Sequence, residues 1–200
     1  MKKLLIIAIV LFSSLCSAQN SEGMYCFVDY PISTIDIQLK GDLGVNLYVR
    51  SYMDTFVRKV DTGNTTQYFY VLKVYQVPIN DIHSSLIPIC VTMISDDDLI
   101  KMNNGLNELL VEEDALWKGG FSQIDYVEKK YVSTNGLEIG FCVDKGRLEW
   151  FVESDYYGII NGWNLKERVL NNKAFSINSG SFLEDSFSKA LAKINGLKGQ

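Results

Sequence analysis

The chain has 200 residues, 47% of them hydrophobic, with 24 acidic against 19 basic side chains and a net charge of −5. That size suits one domain with a real hydrophobic core. The acidic balance, without a Lys/Arg cluster, excludes the footprint a phosphate backbone requires, so nucleic-acid binding is not expected.

Residues 1–18 carry a basic start at Lys2 and Lys3, an apolar run from Leu4 to Phe12, and small residues Cys16 and Ala18 at the two positions that must be small before a cut. A secretory signal cleaved after Ala18 is therefore expected, with residues 19–200 forming a single α+β domain in the periplasm or outside the cell. The apolar run falls short of the roughly 20 residues that span a bilayer, and no second one follows, so no transmembrane segment is expected in the mature chain. The alternative is a lipoprotein attached through Cys16, which the large residue Leu15 before it disfavours. Loss of the signal would leave Cys26, Cys90 and Cys142. An oxidising compartment permits one disulfide among them, in a pairing that spacing does not choose.

Alternation of Ile35, Ile37 and Leu39 predicts a strand, Gly41 to Gly44 a turn, and Val45, Leu47 and Val49 a resumption. Asp61-Thr62-Gly63-Asn64 predicts a hairpin into the aromatic and β-branched run from Thr65 to Val77. There Tyr68, Phe69, Tyr70 and Tyr75 alternate sides and supply one row to the core. Leu86 to Ile94 reads as a further strand, with Pro88 placing it at an edge or a bulge. Ser95 then caps a helix whose buried face is Leu99, Met102, Leu106, Leu109 and Leu110, ending at Gly119-Gly120. Asn103-Asn104-Gly105 is expected to kink or split it.

A three-stranded meander follows, over 126–133, 137–143 and 147–153. Its Asn135-Gly136 step suits a type I′ turn, and Leu137, Ile139, Phe141 and Val143 face the core. A short helix over 165–170 and a last one with a Ser181/Glu184 capping box complete the chain. The fold class expected is α+β, a mainly antiparallel sheet of hairpins plus the meander at about 126–153, packed with two or three helices.

Chemistry is sparse. A nucleophile–base pair would have to use His83, with Asp81 as orienting acid, and no Gly-x-Ser-x-Gly elbow presents a serine. One histidine cannot build a multi-histidine metal site. Asp96, Asp97 and Asp98 fan around a helix start, where they complement its dipole and need no metal. No glycine-rich loop cradles a phosphate, and no cofactor is expected.

The feature that stands out is aromatic: Trp150, Phe151, Tyr156, Tyr157 and Trp163 crowd the end of the meander. Such rings stack on sugars or anchor a protein partner, or else fill a packed corner with Trp150 and Tyr157 inside. Trp150, Tyr156, Tyr157 and Trp163 are thus the candidate contacts of a non-catalytic binding or interaction module, its partner an envelope or extracellular protein or a glycan. Two alternatives stand beside it. One is a carboxylate hydrolase, for example on glycans, using Glu138, Glu149, Glu153 or Asp155. The other is an assembly subunit that pairs through a sheet edge.

Overall fold

The computed structural model describes residues 26–39, 49–78, 88–154, 174–177 and 179–199. The readings at 1–25, at Val45 and Leu47, at His83 and at 165–170 lie outside them.

Four strands come first: β1 (Cys26–Leu39), β2 (Val49–Asp61), β3 (Thr66–Pro78) and β4 (Pro88–Ser95). Helix α1 (Asp96–Gly119) follows, then β5 (Tyr126–Val132), β6 (Leu137–Asp144), β7 (Arg147–Ser154), β8 (Ala174–Ile177) and α2 (Gly180–Lys198). All eight strands among the described residues join one antiparallel sheet in the order β4-β3-β2-β1-β8-β7-β6-β5. The α+β fold is thus a pair of four-strand meanders, each followed by a helix. They meet where Ile37 to Leu39 of β1 pair with Ile177 to Phe175 of β8.

Period-2 patterning explains which face is covered. Ile35, Ile37, Met53, Val57, Tyr70, Leu72, Val74 and Ile94 of the first meander share a core with Leu137, Ile139, Phe141, Trp150, Val152, Phe175 and Ile177 of the second. Onto these rows α1 lays Leu99, Met102, Leu106 and Leu109, and α2 lays Leu183, Phe187, Ala190 and Ile194. The sheet curls, so that edge strand β4 reaches back to the far meander. Thr92 and Ser154 join hydroxyls across the gap, and Asn135 donates its side-chain amide to the Met93 carbonyl at 2.9 Å.

Local chemistry corrects three expectations. The type I′ turn sits at Lys145-Gly146, where both φ are positive (48° and 75°). At 134–136 only Gly136 is left-handed, and the Ser133 N–H bonds the Leu137 carbonyl across a three-residue loop. Helix α1 runs unbroken through Gly105, because its bare Cα is what lets the Tyr131 ring approach; a Cβ there would lie 2.3 Å from Tyr131 Cδ2. The N-cap of α2 is Ser179, two residues before the expected Ser181, and its Oγ accepts from the Ser181 N–H at 3.2 Å. The earlier start follows from packing: Gly180 lies against Trp150, where a Cβ would meet Cζ2 at 2.5 Å. Cys26 is exposed and Cys142 buried. Strands β8 and β7 separate their strands, well beyond the reach of a disulfide.

Candidate interaction surface

Strand β5 closes one side of the described sheet, and three of the seven residues in its sequence Tyr-Val-Glu-Lys-Lys-Tyr-Val are charged. Backbone parity follows from two hydrogen bonds. The Ser133 N–H donates to the Leu137 carbonyl at 2.8 Å, and the Lys145 N–H donates to the Asp125 carbonyl at 2.9 Å. In the register Val132↔Glu138 to Tyr126↔Asp144, odd-numbered β5 residues therefore bond β6. The N–H and C=O groups of Tyr126, Glu128, Lys130 and Val132 turn the other way, outward along the edge.

The side chains of those four residues stand on the sheet face opposite the helices. Tyr126 (60% exposed) and Val132 (47%) sit at the two ends. Between them Glu128 accepts the Tyr126 hydroxyl at 2.5 Å, and Lys130 reaches Glu138 at 2.7 Å and Glu128 at 3.7 Å. That hydrogen bond, which holds the proton on the neutral phenol beside a carboxylate, pushes the Tyr126 pKa up to about 12. On the helix side, Lys129 pairs with Glu112 of α1 at 2.8 Å. In its last turn α1 carries Trp117, 60% exposed and edge-on to Phe121 with centroids 4.5 Å apart. A strand edge with outward backbone groups and an exposed ring on it, Tyr126, is the chemistry of β-strand addition.

Of the sequence candidates, Trp150 is 1% exposed and packs on Phe141 at 5.3 Å, which puts its indole inside the core and out of a partner's reach. It fills the packed corner, with Nε1 buried and lacking a hydrogen-bond acceptor. Tyr156, Tyr157 and Trp163 lie outside the described residues, as do Asp155, His83 and Asp81. The three glutamates do share one face: Glu138 stands directly opposite Glu153, and Glu149 is opposite Cys142. Two of them have structural work, Glu138 taking the Lys130 ammonium and Glu149 the Ser176 hydroxyl. Of the three aspartates at the start of α1, Asp98 is buried and accepts from Thr134 at 2.8 Å, while Asp96 pairs with Lys198 of α2. Among the described residues no group of three His, Cys, Asp or Glu is placed to hold a metal ion, and no helix is long and apolar enough to cross a membrane.

Two other polar arrangements shape the first meander. On its outer face Arg58 grips Asp29 through Nε and Nη2 at 2.6 and 2.7 Å, with Lys73 at 3.5 Å. The rings of Phe27 and Phe56 lie against these two cations, each 4.5 Å from the centroid. Inside, Ser33, Thr55, Ser186 and Tyr70 form a chain of hydroxyls at 2.9, 2.9 and 3.0 Å that fastens α2 to three strands. A shallow depression of about 260 Å³ opens at the β1 bulge above Ser33 and Thr55.

The sequence signal for the β5 edge is different in kind from a motif. Glu128, Lys129 and Lys130 place three charges in succession on one short strand, and charged side chains are one of the devices that mark sheet edges. Comparison with family models, curated proteins and solved structures returns no match.

Proposed function

We propose that this chain is an exported, non-catalytic interaction module that recognises an envelope or extracellular protein through the β5 edge and the aromatic end of α1. The observation that carries the reading is the outward backbone of Tyr126, Glu128, Lys130 and Val132, with the Tyr126 and Val132 side chains exposed along it. Backbone groups along an edge supply affinity and flanking rings supply selectivity. Export rests on the signal read at 1–18. Tyr156, Tyr157 and Trp163 belong to the same proposal as a second contact region.

The test is cross-linking in the native host followed by peptide mapping, repeated with Trp117→Ala combined with Tyr126→Ala and, separately, with Tyr156, Tyr157 and Trp163 replaced by alanine. Cross-links on 117–132 that fade in the first variant support the β5 surface. Association unchanged by either set sinks the interaction reading. Retention of cross-links only by the first variant moves the contact to the 156–163 region.

A further inference from the structure

The composition of the β5 edge names its own complement. We propose that a second copy of this chain pairs with it, β5 to β5 and antiparallel, about a two-fold axis through Lys129. This rests on β5 being the interaction surface, and adds the partner and the register.

Three independent features converge on that register. The first is parity. Centring the pair on Lys129 sets Tyr126 opposite Val132 and Glu128 opposite Lys130 of the second copy. These are the four residues whose N–H and C=O groups point outward, so each lands in a hydrogen-bonded pair and Lys129 in the non-bonded position between them. Centring on Glu128 or Lys130 instead would set either residue against itself, like charge on like.

The second is charge. In the proposed register each Glu128 carboxylate meets a Lys130 ammonium, twice by symmetry, on the same face of the continuous sheet. Lys129 meets its own copy on the helix side, a cost when taken alone and one of the devices that keep edges apart. Here each Lys129 already holds Glu112 at 2.8 Å, so the four groups at the axis sum to zero.

The third is apolar area. Tyr126 and Val132, two of the large hydrophobic side chains the protein leaves exposed, come together as an aromatic against a β-branched residue, a favoured cross-strand pair. The product is an isologous dimer in which one sheet runs through both copies.

Sedimentation velocity on the purified protein tests this, because a two-fold pair makes a demand no other arrangement makes. Wild type should sediment as a dimer. Glu128→Lys sets lysine against lysine and Lys130→Glu sets glutamate against glutamate, so each alone should weaken self-association by about tenfold or more. An equimolar mixture of the two variants should dimerise again, since the first variant carries lysine at both positions 128 and 130 and the second carries glutamate at both, so that every cross-strand pair becomes lysine against glutamate. Lys130→Pro removes an N–H that points away from β6, so the fold should survive while the dimer is lost. A wild type that stays monomeric at high micromolar concentration overturns self-pairing. So does a dimer indifferent to the single reversals, or a mixture that stays monomeric while both variants keep the wild-type circular dichroism spectrum. If the wild type is monomeric yet the Trp117/Tyr126 variant loses its cross-links, the β5 surface stands and only the second copy falls.

Discussion

Asp29 shows how one carboxylate ties a wet face to the stability of the sheet. It is 22% exposed, and the Arg58 guanidinium donates to both its oxygens. That hydrogen bonding, aided by the charges of Arg58 and Lys73 and opposed by burial, holds its pKa below the usual 3.8. A carboxyl whose folded pKa is depressed stabilises the fold above its unfolded pKa, and the contribution is lost as pH falls through the folded value. Asp29→Asn should therefore cost about 2 kcal/mol at pH 7, because two cations lose a partly buried partner. The gap to wild type should close as pH drops below about 4. Urea melts at pH 7 and pH 3 check this. A gap that stays constant across that range would show that the charge of Asp29 contributes nothing.

At the scale of elements, a residue's helix propensity and its packing can point in opposite directions, and Gly105 separates them. Propensity alone says that alanine improves a helix interior by about 1 kcal/mol. The Tyr131 ring occupies the space a Cβ needs, with three ring atoms between 2.3 and 2.8 Å from it. Overpacking of that kind costs roughly 1–3 kcal/mol, so Gly105→Ala should destabilise on balance. In Tyr131→Ala, where the ring is gone, the same change should become neutral or favourable. A double-mutant cycle by thermal melts reads the coupling, and additive effects would refute the steric account.

The same position shows what the sequence makes legible. Alternation in β3 and β6, the Ser95 cap, the Gly119-Gly120 stop and the hairpin at 61–64 are all readable, because each is set by neighbours within a few residues. Gly105 looks like a kink in sequence because its reason lies 26 positions away, in the ring of Tyr131. Ser181 looks like a cap because nothing local announces that Trp150 needs the bare Cα of Gly180. Trp150 itself is legible as an aromatic, not as a core residue as against a contact, since burial is decided by what α2 lays over it. The β5 edge is hidden for a related reason: strand order depends on the pairing of β1 with β8, more than 130 positions apart.

For the whole molecule, the repeated topology poses the question of whether the halves fold separately. Each meander with its helix repeats the other's plan without a sequence repeat, because the plan demands only an inward apolar row and a helix to cover it. The ladder between them is short, three residue pairs of β1 and β8. Backbone pairing alone would leave a hinge there. The side chains argue otherwise. One continuous core joins Met53 and Leu72 of the first half to Phe141 and Val152 of the second, with both helices in it. Ser186 of α2 sits on Thr55 and Tyr70 of the first meander at 2.9 and 3.0 Å, so the second half's helix is seated on the first half's strands. Helix α1 is exchanged in the same way, its Gly105 against Tyr131 and its Glu112 paired with Lys129 of β5. With each helix shared across the junction, neither meander retains its cover when the other opens, and unfolding should be a single transition. Fluorescence of Trp150, buried in the second half and isolated by replacing Trp117 and Trp163 with phenylalanine, should trace the same denaturant midpoint as far-UV circular dichroism, which reports both. Two separated midpoints, or a 26–119 fragment that melts cooperatively on its own, would show that the short ladder decides the matter and the shared helices do not.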